Sequence, residues 1–270
     1  MRIINHRPSR GISYFTAILP FVLLIVVYAV FSDARLEANP DDKLLPDATS
    51  LGNAVHRMAF EPSKRTGELL LWKDTVASLT RLFIGLSISA FIGLTVGVFN
   101  GIVPWFSAFW TPFVRVLSMI PPMAILPILF IVFGLGELSK YVLIIFGTAP
   151  FIMRDMEQRV RELPHEQIIK AQTLDATTWQ ILLRVVLPQV MPRLLEAVRL
   201  TTGAAWLFLI AAEAIASTEG LGYRIFLVRR YLAMDVILPY VIWITLLAFV
   251  MDFSLRRLNT LCFPWFGKNR

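Results

Sequence analysis

The sequence predicts an all-α integral membrane protein: six transmembrane helices, with a cytoplasmic helix–turn–helix between spans four and five. Three observations predict it. Of 270 residues, 56% are hydrophobic and only 17% charged, where a soluble domain carries about 25%. The charges leave long gaps, with none over Gly11–Ser32, Leu82–Val114 or Val116–Gly136 and shorter clear runs over Tyr141–Met153, Leu200–Ala212 and Val236–Met251. Both ends are basic, with Arg2, Arg7 and Arg10 at one and Arg256, Arg257, Lys268 and Arg270 at the other. About 20 apolar residues at ~1.5 Å rise cross a ~30 Å hydrocarbon core. The net charge of +7, in so apolar a chain, belongs to cytoplasmic membrane loops and not to a nucleic-acid surface.

The spans are expected at 14–31, 76–99, 116–134, 139–154, 195–216 and 236–254. The basic start followed by an apolar run also fits a cleaved signal peptide. That run exceeds the usual ~7–15 residues and no A-x-A site follows it, so a retained first helix is expected. The 33-residue gap is too long for one straight span. Asn100-Gly101-Ile102-Val103-Pro104 breaks it, which ends a helix near Phe99 and leaves Trp105–Pro112 as an interfacial segment. Its Trp105, Phe106, Phe109 and Trp110 suit the headgroup level. Pro121, Pro122 and Pro127 either break the third span beside a pathway or kink it for packing.

Cationic ends face the cytoplasm, and six spans place both termini on that side. Segment 32–75, with six basic and eight acidic residues, is expected as an outer loop with short helices. The chain thus divides into 1–31 (tail and first span), the outer loop 32–75, a core domain 76–257 and a cytoplasmic tail 258–270. Residues 155–194 form the longest inner segment. Gln167–Leu174 and Thr178–Leu187 have helical composition, Asp175 lies between them, and Pro188 and Pro192 close the second helix.

Catalytic patterns are missing. A single Cys262 excludes an internal disulfide and a cysteine zinc cage, and His6, His56 and His165 have no metal-binding spacing. Gly134-Leu135-Gly136-Glu137-Leu138-Ser139-Lys140 lacks the second glycine of a phosphate loop, and Tyr141 stands where Ser or Thr would hold magnesium. No catalytic or metal-binding residue is assigned. Charges inside the spans are functional candidates. Arg81 and Arg199 are expected to snorkel, and Glu196 and Arg199 can pair at i,i+3. Glu213 lies ~21 Å beyond Arg199 and is expected to brace the outer end of span five. Pathway candidates are Pro121, Pro122, Met123, Arg199, Trp206 and Glu213.

From Gln167 the chain reads QIIKAQTLDATTWQILLRVVLPQVMPRLLEAVRL. This resembles the cytoplasmic signature of bacterial binding-protein-dependent ABC transporter permeases: E-A-A, three residues, G, nine residues, I-x-L-P. Ile169-Lys170-Ala171 occupy the E-A-A positions, Asp175 the glycine, and Val185, Leu187 and Pro188 the end. Only Ala171, Leu187 and Pro188 match outright, while the spacing holds throughout. Asp tolerates the left-handed turn that glycine favours. Ser78-Leu79-Thr80-Arg81, Ile120–Pro127, Phe133–Lys140, Arg199, Trp206, Glu213 and Gly220-Leu221-Gly222-Tyr223 extend the resemblance from about Thr75 to Arg257. They resemble the branch importing nitrate, sulfonates, taurine, bicarbonate and some nitrogenous or pyrimidine compounds, so an importer of a neutral or cationic nitrogen compound is the alternative to one for a small anion.

The resemblance implies the membrane-spanning subunit of an ATP-driven importer, in the bacterial inner membrane, for a small solute such as a small anion. It implies a homodimer of permeases, two ABC ATPase subunits and an extracytoplasmic solute-binding protein. ATP and magnesium would be held by the ATPase, with no cofactor on this chain. Coupling to the ATPase would run through Lys170, Ala171, Leu174, Asp175, Ala176, Leu187 and Pro188. An ion-driven transporter is disfavoured by the lack of a mid-span Asp or Glu relay, and a membrane enzyme by the missing catalytic cluster.

Overall fold

The computed structural model describes residues 9–39, 42–64 and 66–266. They form α1 (Arg10–Ala38), α2 (Ala48–Phe60), α3 (Leu70–Ile102), α4 (Pro104–Leu117), α5 (Pro122–Phe133), α6 (Glu137–Arg161), α7 (His165–Thr173), α8 (Thr178–Ile181), α9 (Leu187–Ala216), α10 (Leu221–Arg229) and α11 (Met234–Cys262). A π-helical turn, Leu182–Val186, joins α8 to α9. Pro188 and Pro192 remove two backbone donors just beyond it, and such gaps in the ladder favour irregular turns. No strand occurs among the described residues.

Four helical runs are long and apolar enough to cross a membrane: Gly11–Ala38, Leu70–Ile102, Thr178–Ala216 and Met234–Cys262. The apolar stretch expected as span three is divided. α4 and α5 meet at a 96° bend, because Pro121 is extended and Pro122 begins α5, and a residue before proline avoids the helical region. α5 alone, with 12 residues or ~18 Å, is too short to span. α6 occupies the place of span four, but its Glu137, Lys140, Arg154 and Asp155 keep it from qualifying on composition. Three expectations change. Pro188 and Pro192 do not close the second helix: proline is tolerated in a helix's first turn, where Pro188 stands, and Thr178–Ala216 continues as one helical run. α3 runs past Phe99 to Ile102 and stops at Val103, the residue before Pro104. Trp105–Pro112 belongs to α4, which buries Thr111 and Val114 and packs with Ala149 and Met153 of α6.

The core is built on α3 and α6. Gly85, Ser89, Gly93, Gly97 and Gly101 recur every fourth residue of α3 and so share one face. They meet Ile144, Thr148, Ile152, Met156 and Val160, the matching stripe of α6. A Cβ at Gly93 would lie 2.4 Å from Ile152 Cγ2, and one at Gly97 2.6 Å from the Met153 carbonyl. Ser89 and Thr148 hydrogen-bond across the seam at 2.7 Å. Small residues let helix backbones approach closely in a membrane. Gly93→Ala is expected to cost about 2 kcal/mol by overpacking. Gly203→Ala, where no atom lies within 4 Å, is expected to be neutral or slightly stabilising. Thermal unfolding of the two variants in one detergent checks this, and equal melting temperatures would contradict it.

The segment between α1 and α3 folds back as a short amphipathic cover. Asp47 caps α2 by accepting from Ser50 N at 3.1 Å. Hydrogen bonds from Ser50 and Thr49 hold its carboxyl at about 2. α2 buries Ala54 and Ala59 against α3 and α11. α1 joins the rest through Tyr28, which donates to Pro46 O at 2.7 Å, and Ser32, which donates to Leu45 O at 2.9 Å. Its Phe15, Phe21, Leu24 and Phe31 are exposed, as a lipid-facing helix requires.

Candidate functional site

The helix–turn–helix of α7 and α8 is assembled from local rules. α7 ends in a Schellman motif. Asp175 N–H donates to Gln172 O at 3.0 Å and Ala176 N–H to Ala171 O at 3.1 Å, with Asp175 left-handed at φ 59°. Thr177 then caps α8 by a capping box: Gln180 N–H donates to Thr177 Oγ1, and Thr177 N–H donates to Gln180 Oε1 at 2.9 Å. Ile168, Ala171 and Ala176 pack inward with Val98, Val160, Ile181, Leu182, Val186 and Val190. Hence the loop is fastened to the C-terminal ends of α3 and α6. What it presents outward includes four large apolar side chains among polar ones: Leu174 is 83% exposed and Trp179 60%, with Ile169 and Leu183 also exposed. Lys170 and Pro188 are exposed, Leu187 half-buried. A soluble surface seldom shows such a cluster unless something docks there.

At the other end lies a buried ionic clamp. Glu213 is fully buried and accepts from Ser78 Oγ at 2.8 Å, Arg81 Nη1 at 2.8 Å and Gly222 N at 2.9 Å. Arg81 also donates Nε and Nη2 to Glu137, at 2.6 and 2.8 Å, and Nη1 to Glu219 O at 2.9 Å. Lys140 Nζ reaches Glu137 at 2.8 Å and Ser217 Oγ at 3.2 Å. Beside them, buried Asp74 accepts from Gly220 N (3.0 Å), Arg224 Nε (2.8 Å) and Tyr240 OH (3.1 Å). Gly220 has φ 124°, and a Cβ there would lie 2.5 Å from the Glu213 carboxylate, so only glycine fits this turn. The clamp joins the ends of α3, α6, α9, α10 and α11. Arg81 is 3% exposed, so it does not snorkel: two carboxylates and a carbonyl replace its water.

The pathway candidates separate. Trp206 is 4% exposed and packs in the core with Leu82, Leu209 and Tyr240, and Glu213 belongs to the clamp. Arg199 Nη1 reaches Asp252 of α11 at 3.1 Å. Pro121 and Met123 are exposed and Pro122 half-buried at the α4–α5 bend. The exposed face of α5 continues through Ile128 and Ile131, and that of α9 through Leu200 and Leu207. Sequence reasoning passed over Asp74, Glu137 and Lys140, whose partners lie far away in sequence, and Trp179, whose exposure no pattern announces. It also passed over Arg115, although that residue is the sole charge between Arg81 and Glu137.

Residues 89–266 match the family described as "Binding-protein-dependent transport system inner membrane component". The chain belongs to this family. It is a multi-pass inner-membrane permease, the transport component of an ABC importer, with ATP hydrolysis on a separate subunit. It is 34% identical over 198 residues to the taurine transport system permease protein TauC of Escherichia coli (strain K12), covering 73% of this chain and 72% of that one. It is 33% identical over 242 residues to the bicarbonate transport system permease protein CmpB of Synechococcus elongatus, covering 78% and 86%. The putative aliphatic sulfonates transport permease protein SsuC of Escherichia coli is 27% identical over 92% of both chains. Among solved structures, an inward facing conformation of the MetNI methionine ABC transporter shares the permease fold. Its TM-score is 0.62 at 23% identity, covering 71% of this chain and 95% of that one.

Proposed function

We propose that this permease carries a small solute with an oxyanion group, of the taurine, sulfonate or bicarbonate kind, into the cytoplasm. The observation that carries the reading is the 34% identity to the taurine permease across 73% of the chain. Six crossings are made by α1, α3, the bent pair α4–α5, α6, the run Thr178–Ala216 and α11. Both termini and the α7–α8 turn then lie in the cytoplasm, and 32–75 outside. A second copy closes the pathway along the exposed faces of α5 and α9, since one six-helix half leaves it open.

An extracytoplasmic binding protein delivers solute to the outer face. Two ATPase subunits, which hold ATP and magnesium, dock on the turn at Leu174-Asp175-Ala176. Ala171 lies beneath the turn, Lys170 beside it, and Leu187 and Pro188 lead into α9. ATP-driven closure of those subunits moves the loop, and its packing on α3 and α6 passes the motion on as a rigid-body shift. The purified complex in proteoliposomes is expected to take up taurine only when the ATPase, ATP and the binding protein are all supplied. Uptake driven by an ion gradient without ATP would overturn the reading.

A further inference from the structure

We infer that Arg115 and Arg154 form an oxyanion-binding step in the inner third of the pathway, at the α4–α5 bend. This rests on the oxyanion-solute reading and names the residues that meet that group on its way in. Arg154 Nη1 donates to Ser118 Oγ at 3.0 Å, and Ser118 Oγ donates to the Arg115 carbonyl at 2.8 Å. The Arg154 guanidinium is therefore held within one turn of Arg115. Both arginines are exposed. Among the described residues, neither has a carboxylate within salt-bridge distance, and the carboxylates beside Arg154 are committed elsewhere. Asp155 faces Arg159 at 3.5 Å, and Glu157 holds Arg161 at 2.8 Å and accepts from Thr111 at 3.1 Å.

Among the described residues, the buried or half-buried cations beside the spans are paired: Arg81 and Lys140 with Glu137, Arg224 with Asp74, Arg199 with Asp252. A charge inside a span is costly unless paired or facing a water-filled cavity. Arg115 and Ser118 are three apart at the end of α4 and share a face, so the Arg154 guanidinium on Ser118 and the Arg115 side chain lie on one side of the bend, a place where counter-charge arrives from outside the chain.

The position fits a transit site. Arg154 lies seven residues before Arg161, ~10 Å above the inner end of α6. Exposed Met119, Met123 and Ile131 continue upward from the bend and offer no competing charge. Arginine presents paired N–H donors matched to a carboxylate, sulfonate or phosphate group. α5 opens at the same bend, and the start of a broken helix adds partial positive charge. A phospholipid headgroup carries the same oxyanion chemistry as the solute, so the test must separate the two.

The test uses the whole transporter, with its ATPase and binding protein, in pure phosphatidylcholine vesicles and in vesicles containing phosphatidylglycerol, with taurine as probe. Arg115→Gln and Arg154→Gln are each expected to slow uptake about tenfold, the loss of one charge-assisted contact. The lysine variants are expected to recover most of it. ATP hydrolysis stimulated by the loaded binding protein should persist in all four. Unchanged uptake in the glutamine variants would sink the site alone. So would a defect confined to phosphatidylglycerol vesicles, which assigns the arginines to lipid. Should a glutamine variant fail to assemble with the ATPase, the lysine variants decide, and uptake as poor as without the charge sinks the site. A wild-type complex that carries only solutes without a sulfonate, carboxylate or other oxyanion group would remove both the site and the proposed substrate class.

Discussion

Arg81→Met is expected to loosen the outer half of the permease more than any other single substitution. The change removes the cation from a carboxylate with no access to water: Glu213 is fully buried, and among the described residues Arg81 Nη1 is its only cationic partner, at 2.8 Å. Removing one partner of a buried pair costs about 3–5 kcal/mol, because the remaining charge is left uncompensated. Glu137 and the Glu219 carbonyl lose donors in the same step. The double variant Arg81→Met/Glu213→Gln is expected to regain much of the loss. Glutamine still accepts from Ser78 and Gly222 and carries no charge, and neutral replacements of buried pairs are often close to neutral in stability. Thermal unfolding in detergent, with membrane insertion as control, reads both variants. A single variant that melts with the wild type, or a double variant worse than the single, would refute the clamp as a paired unit.

How far the sequence alone reaches depends on the range of each interaction. Asp175 was legible because the left-handed turn is a local demand: a glycine position filled by Asp predicts φ above zero, and φ is 59°. The bracing role of Glu213 was legible from its distance to Arg199. Its partners Ser78 and Arg81 were not, since they are more than 130 residues away and no pattern links them. Arg81 looked like a snorkelling residue for the same reason, as depth near an interface and burial by neighbours read identically in one chain. The period-four glycine stripe of α3 was passed over in the sequence, because only the matching stripe on α6 turns it into a seam. The division of span three was half visible. Pro121 and Pro122 mark a break, yet nothing in composition separates a kink from a 96° bend, because that depends on α4 packing back along α6.

Disruption of the α7–α8 turn is expected to abolish uptake while leaving the membrane fold intact, the second large effect. Leu174 and Trp179 are the exposed apolar anchors of the turn. Anchors of this kind contribute about 2 kcal/mol or more each to an interface, roughly 30-fold in affinity. Leu174→Glu and Trp179→Ala should therefore each release the ATPase during copurification and stop ATP-dependent taurine uptake. Neither side chain belongs to the inward cluster of Val98, Val160 and Val186, so the melting temperature should hold.

Position 175 separates contact from conformation. Asp175→Gly keeps the left-handed turn and relieves its cost of about 1 kcal/mol, so assembly is retained unless the carboxylate itself meets a basic residue of the partner. Asp175→Lys reverses the charge, and a contact there predicts lost coupling that an acidic substitution on the ATPase partly restores. Asp175→Val cannot hold φ 59° without strain, so the Schellman turn opens and Leu174 is displaced whatever the partner's charge. Were all of these variants to copurify and transport as the wild type does, the exposed apolar tip would be a surface with no docking role. Transmission to α3 and α6 would then have to enter the permease elsewhere.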